Sequence, residues 1–221
     1  MLVRTFYKVL AFHLLRFPLD DRQRGFRTFD GCTDNIVLMD NVLRYHHTKF
    51  KKAYIAVVDM KNAFGSVAYV VIIQVLIAKS VPQRFVNYFA STYLNSRTFF
   101  QHGDWNSRQF TPTCGVKQGD PLSLPTFNLV IDEFLLSVPQ DVGVNLDGLS
   151  VNFMALADDF VLNASSAPGL QHLINHTVSY LGKVGLERNI NKCSTIAIRT
   201  IPKKKKTAVD STVAFKVNGV Y

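Results

Sequence analysis

The stretch Asn152 to Leu162, NFMALADDFVL, sets two adjacent carboxylates inside an otherwise apolar run. Neither charge can be left unpaired in a core, so the run reads as two short apolar arms of a β-hairpin with Ala157, Asp158 and Asp159 at its tip. A metal ion would resolve the conflict between the charges and their surroundings. A solvent-facing turn, with each Asp bonding its own backbone, is the commoner use of a bare Ala-Asp-Asp. The pair means more only if other segments supply a third carboxylate and a surface for a polyanion.

The charge distribution supplies the second requirement. The chain has 25 Lys and Arg against 16 Asp and Glu, with ten basic and five acidic residues in Met1 to Lys52 and eight basic and one acidic in Lys183 to Lys206. Localised positive charge favours a polyanionic partner, although it also serves solubility. Hydrophobic residues make up 48% of 221 residues, enough for one large domain or two small subdomains. Cys32, Cys114 and Cys193 are odd in number, far apart and without zinc-ligand spacing, which argues against a disulfide framework. Charged residues interrupt the apolar N-terminal stretch, so no signal peptide or membrane span is expected.

Along the chain, Leu2, Phe6, Val9, Leu10, Leu14 and Phe17 recur at helical spacing, predicting an amphipathic helix that ends before Pro18. The loop Gln23 to Arg27, QRGFR, suits phosphate contact and stacking, or simple solvation. A helix capped by Thr33 or Asp34 should follow to Tyr45, with Ile36, Met39 and Leu43 on its apolar face. AYIAVVDM then reads as a buried strand finishing at Asp59. Val67 to Ala78 is helix or strand, Pro82 opens another helix toward Leu94, and a hairpin is expected around Gly103, Asp104 and Trp105. The loop bearing Gly115, Lys117, Gln118 and Gly119 should lead to a helix capped by Asp120 and starting at Pro121. After the acidic hairpin come a helix from Pro168 to Val184 and a strand from Ser194 to Ile198. Lys203 to Lys206 then reads as a solvated hairpin turn before VAFKV, or as a nuclear-localisation signal.

In this order, QRGFR with its DG, VVDMKNAFGSV, GVKQGDPLS with FNLVID, ALADDFVL and GLERNINKC together resemble the reverse transcriptase of non-LTR retrotransposons. The resemblance is greatest to the site-specific group that inserts into ribosomal RNA genes, and it covers nearly the whole chain. It implies an α+β fold: a right-hand polymerase palm, its antiparallel sheet covered by helices, with partial fingers. Residues 1–52 would be fingers and 53–221 palm, with a fingers insertion at about 83–114, and thumb and endonuclease absent. Poor processivity is expected of such a fragment.

The implied activity is RNA-directed DNA polymerisation, with RNA template, DNA primer or target, and dNTP as partners, and no membrane. Two-metal nucleotidyl transfer needs carboxylates that hold two cations, one activating the primer 3′ hydroxyl and one neutralising the triphosphate. By resemblance Asp59 and Asp158 would bridge the metals, with Asp159 as third acid and two Mg²⁺ as cofactor, Mn²⁺ substituting. Phe64 matches the aromatic gate against ribonucleotides. Gln118 and Gly119, with Lys117 beside them, match the lining of the nascent base pair. Arg24 and Arg27 match contacts to template or triphosphate, and Lys192 matches a lysine that protonates pyrophosphate. The chain departs from the family pattern at Gly65, where Asp is usual, at Leu156, where an aromatic is usual, and at Ser123 to Pro125. Those departures leave a degenerate, non-catalytic RNA-binding palm as the alternative; another palm polymerase, such as a maturase or viral RNA polymerase, is disfavoured by Phe64. A nuclear location with a cytoplasmic ribonucleoprotein stage follows from the same resemblance.

Overall fold

The computed structural model describes residues 2–117 and 119–216. The first helical stripe forms α1, Leu2–Leu14, and the segment after QRGFR forms α2, Gly31–Thr48. The central strand β1, Ala53–Lys61, leads into three helices: α3, Ala63–Ser66; α4, Tyr69–Ala78; and α5, Gln83–Leu94. A short hairpin follows, β2, Gln101–His102, and β3, Trp105–Asn106, and then α6, Ser123–Ser137. Two hairpins come next: β4, Val144–Leu146, with β5, Leu149–Val151, and β6, Phe153–Leu156, with β7, Asp159–Ala164. The remaining elements are α7, Ala167–Lys183; β8, Glu187–Arg188; β9, Ser194–Ile201; and β10, Lys206–Val209.

Contacts divide the chain into two compact units, Met1–Pro18 with Asn62–Glu133, and Leu19–Lys61 with Phe134–Tyr221. The second contains an antiparallel sheet in the order β10-β9-β1-β7-β6, with β8 pairing the end of β1. Cross-strand partners share a face. Val58 and Ala56 therefore lie with Phe160 and Leu162 of β7 and with Ala155 and Phe153 of β6. That face packs under α7 and the end of α6, where the Phe134 ring lies 5.3 Å from Phe153, 5.7 Å from Phe160 and 5.2 Å from Tyr180. The opposite face carries Asp59, Val57, Asp159, Val161 and Met154. It is covered at its β6 side, where Val42 of α2 packs with Val144, Val151 and Met154.

In the first unit, Phe89 stacks on Tyr93 at 4.1 Å and Tyr69 meets Tyr93 edge-on at 5.1 Å. Val67 to Ala78, ambiguous in sequence, supplies helix α4, with Tyr69, Ile72, Val75 and Leu76 buried at helical spacing. Burial of that stripe outweighs the β preference of its Val and Ile residues.

Three local expectations are corrected. Asp30, one helical turn before Asp34, caps α2 by accepting from Thr33 N, and the inward face is Val42 and His46 rather than Ile36 and Leu43, which are exposed. That shift puts Val42 against the β4–β5 hairpin, an apolar surface remote in sequence. Asp120 accepts from Leu122 N, and α6 begins at Ser123 instead of Pro121. The lysine turn joins β9 to Lys206–Val209, not to VAFKV, because a 3₁₀ turn at Pro202–Lys204 and a positive φ at Lys205 (46°) reverse the chain at once. Phe215 of VAFKV instead packs its ring 6.3 Å from Tyr54.

Candidate active site

The two-residue alternation of β1 puts Asp59 on the sheet's less covered face, and antiparallel register places it directly opposite Asp159, the first residue of β7. Ala157 and Asp158 make the two-residue turn between β6 and β7, so the three acids come from one strand pair and its tip. Two-residue hairpin turns demand a positive φ that glycine or asparagine usually supplies. Here Ala157 carries it (φ 60°), a strained conformation for a residue with a Cβ.

The QRGFR loop holds that turn. Gln23 is fully buried, and its Oε1 accepts from Ala157 N at 3.1 Å and Gly25 N at 2.8 Å while its Nε2 donates to Ala157 O at 3.2 Å. Arg24 N donates to Ala155 O at 2.9 Å, and Ala155 N donates to Arg22 O at 2.8 Å. A Cβ at Gly25 would overlap Ala157 N and stand 2.8 Å from its Cα. Gln23 and Gly25, which the sequence places in a loop suited to phosphate contact, thus brace the acidic turn, a role that a neutral amide and a glycine do not announce. Of the loop's arginines, Arg24 donates to Asn35 Oδ1 at 3.3 Å. Arg27 donates to Leu19 O at 3.1 Å and to Asp20 O at 2.5 Å, which ties it to the loop's own backbone.

The GLERNINKC segment closes on Asp59 from the other side. Met60 and Lys61 pair with Arg188 and Glu187, Asn189 N donates to Asp59 O at 2.8 Å, and a 3₁₀ turn at Ile190–Lys192 follows. Lys192 Nζ then lies 3.4 Å from Asp59 Oδ2. The lysine is two-thirds exposed, so this contact is weak and readily exchanged for another cation or anion.

In the other unit, Val116 N donates to Phe64 O at 2.7 Å and Gly115 N to Val67 O at 2.8 Å, which brings the Phe64 turn beside the loop of Lys117 and Gly119. The Phe64 ring packs 4.4 Å from Phe127, Lys117 Nζ sits 4.7 Å over the Tyr93 ring, and Gly119 is exposed with φ 80°. Gln118 lies outside the described residues. Gly65 has a local reason: Asn62, at φ 48°, places its side chain where a Cβ of residue 65 would stand.

The acids suit a hard divalent cation in chemistry. Asp59 Oδ1 is buried with no hydrogen-bond partner among the described residues. Burial, then the charges of Asp158 and Asp59, push the Asp159 carboxyl up, offset in part by Lys192. All donors are oxygen, the set preferred by Mg²⁺ and Mn²⁺. Among the described residues no three His, Cys, Asp or Glu side chains are gathered closely enough to hold an ion.

A carboxyl whose proton affinity rises on folding stabilises the fold below the ordinary carboxylate pKa and loses that contribution as pH climbs through its raised value. At neutral pH the ionised Asp159 therefore works against the fold. Asp159→Asn is expected to raise metal-free stability at pH 7 by about 0.2–1 kcal/mol, the scale of one cross-strand pair, with the gain shrinking toward pH 4. Thermal melts in chelator at both pH values check this, and a variant no more stable than the parent at pH 7 denies the repulsion.

Residues 1–215 match the family model for reverse transcriptase (RNA-dependent DNA polymerase). The chain belongs to this family. Divalent metal ions are general to it. The chain is 41% identical over 212 residues to the Retrovirus-related Pol polyprotein from type-2 retrotransposable element R2DM of Drosophila melanogaster, covering 96% of this chain and 20% of that protein. It is 35% identical to the Pol polyprotein of the type-1 retrotransposable element R2 of Nasonia vitripennis, covering 97% of this chain and 21% of that one. The chain thus spans about a fifth of the length of these curated relatives. In fold it is similar to the apo telomerase of Candida tropicalis truncated from its C-terminal domain, with a TM-score of 0.62 at 13% identity over 94% of this chain and 45% of that one. A Candida albicans telomerase solved with a fragment of telomeric RNA gives a TM-score of 0.60 at 13% identity over 98% of this chain and 38% of that one.

Proposed function

We propose that this reverse transcriptase domain copies an RNA template into DNA, adding deoxynucleotides to a primer 3′ hydroxyl. The observation that carries the proposal is the direct cross-strand pairing of Asp59 with Asp159, with Asp158 at the adjoining tip and a buried Asp59 oxygen that accepts no hydrogen bond among the described residues. Asp59, Asp158 and Asp159 are the residues that would hold two Mg²⁺ ions. Bound there, the ions would activate the hydroxyl and neutralise the triphosphate.

The chain's own groups divide the remaining work. Gln23 fixes the Ala157 turn and so sets where Asp158 stands. Lys192 balances Asp59 and, released from it, offers an ammonium to the phosphates of the incoming nucleotide or of pyrophosphate. Phe64, backed by Phe127, presents an apolar surface suited to a deoxyribose. Lys117, Gly119 and Gln118 are assigned to the nascent base pair, and Arg24 to the template or triphosphate. Arg27 shares that assignment once it exchanges its carbonyl partners. The names fingers for residues 1–52 and palm for 53–221 belong to the same reading. So do a DNA target as primer and a nuclear site of synthesis after a cytoplasmic ribonucleoprotein stage.

Extension of a labelled DNA primer on an RNA template with Mg²⁺ tests the proposal. Deoxynucleotide addition that disappears in Asp158→Asn supports it; no addition by the parent chain with RNA binding intact favours a non-catalytic RNA-binding palm. In the same assay Phe64→Val should raise ribonucleotide use by up to roughly a hundredfold, the scale on which an apolar wall rejects one hydroxyl. Equal use of both sugars by the parent would remove Phe64 from the gate.

A further inference from the structure

The end of the sheet away from the acids carries a basic surface that the polymerisation reading leaves without a task. Lys49, Lys51 and Lys52 lie between α2 and β1, and Lys203, Lys204, Lys205 and Lys206 lie at the β9–β10 turn; all seven are exposed. The tertiary structure joins the two groups. Ala53 pairs with Ile198, Ile198 pairs with Val209, and His47 Nδ1 lies 3.0 Å from Thr207 Oγ1. Asp210 is the acid within this cluster: hydrogen bonds from Thr212 hold its carboxyl low, and Arg199 and Lys52 add to the effect. Lys52 stands seven residues before Asp59 on an extended strand, so roughly 20 Å separates this surface from the acids.

Beside Lys51 and Lys52 lies a cleft of about 430 Å³, lined also by Tyr45, His46, Asn145 and Ser165. His46 is 1% exposed, with its ring turned to the backbone of Lys51 and Lys52 at the cleft's edge. Burial lowers its pKa, which favours the neutral ring that can both donate and accept. Two aromatic side chains stand among the lysines. Lys51 Nζ lies 4.9 Å over the Tyr45 ring and 2.7 Å from its hydroxyl, and Phe50 is exposed at φ 49°.

We propose that this end of the sheet binds a single-stranded segment of RNA, with the lysines on successive phosphates and one nucleotide entering the Tyr45–His46 cleft. The reading rests on the polymerase assignment only in taking RNA as the molecule at hand, and the surface is separate from the acids. Lysines interleaved with aromatics are the means by which proteins hold unpaired strands, since the phosphates supply charge and every base has a face to stack. The exposed side chains of Asn145 and Ser165 give the cleft partners for a base edge or a ribose 2′ hydroxyl. An importing receptor would instead need the Lys203–Lys206 run as an extended peptide, whereas here it is folded into a turn between paired strands.

The test is anisotropy of a labelled single-stranded RNA against the full chain over a range of salt, with the DNA strand of the same sequence alongside. Lys203→Glu/Lys204→Glu/Lys205→Glu should weaken RNA binding at least tenfold and reduce the slope of log affinity against log salt by about 2, three phosphates at 0.7 each. Lys51→Glu/Lys52→Glu should act in the same direction. Melting temperatures establish that the variants are folded. Unchanged affinity and slope in both variants overturn the proposal, as does equal affinity of the parent for the DNA strand. Because binding is read without synthesis, an inactive polymerase leaves this result interpretable.

Discussion

Asp59→Ala is expected to abolish primer extension, lowering the rate by more than about a hundredfold, while RNA affinity stays near that of the parent. Removing groups that merely orient metal ligands costs 10- to 100-fold, and a ligand itself costs more. Asp59 is central because three segments meet at it: Asp159 opposite it in the sheet, Asn189 bonding its backbone carbonyl, and Lys192 at its carboxylate. Alanine removes the carboxylate nearest Lys192, leaving it the charge of Asp159, and deletes no buried apolar surface. Folding should therefore persist, and a melting curve verifies that before the rate is read. Synthesis retained in Asp59→Ala would remove Asp59 from the reacting centre and leave Asp158 and Asp159 to be explained without it.

Gly25→Val is expected to lose both stability and synthesis without changing any charge. The added side chain would begin with a Cβ inside contact distance of Ala157 backbone, so either the QRGFR loop lifts or the acidic turn moves. Overpacking of this kind costs about 1–3 kcal/mol. Lifting the loop would also strip the buried Gln23 amide of its turn partners, with a penalty of similar size. Gly182→Ala on α7, where a Cβ meets nothing within 4 Å, is the control, expected to stabilise by up to about 1 kcal/mol. If Gly25→Val melts and polymerises as the parent does, the loop is not what fixes the acidic turn. A fall in the rate with an unchanged melting temperature would show that the turn shifts while the fold survives.

Much of the fold was legible because its signals are local. The stripe of α1, the strand AYIAVVDM, the acidic hairpin and α7 each announce themselves within a window of their own residues. The α2 face was misjudged for the complementary reason. Ile36 and Val42 are equally apolar, and only the distant β4–β5 hairpin decides that Val42 turns inward. VAFKV looked like the partner of β9 because it alternates. Lys206–Val209 took that place through an immediate chain reversal that composition does not record. At the site, the acids stood out as charges where charge is costly, whereas Gln23 and Gly25 were hidden because their roles are to bond and to make room.

The sequence by itself determined the family, the α+β class and the three carboxylates, since motif order, periodicity and charge set inside an apolar run are all properties of the linear chain. Only the tertiary structure decided that Asp59 lies opposite Asp159, that QRGFR braces Ala157, that Lys192 reaches Asp59, and that two separate lysine runs form one surface. Strand register and loop docking are set by packing between residues far apart in the chain: moving β1 by one residue against β7 would turn Asp59 to the face under α7, among Phe153, Phe160 and Phe134. The cost of burying that charge, and of exposing Val58 and Ala56 in its place, fixes the register.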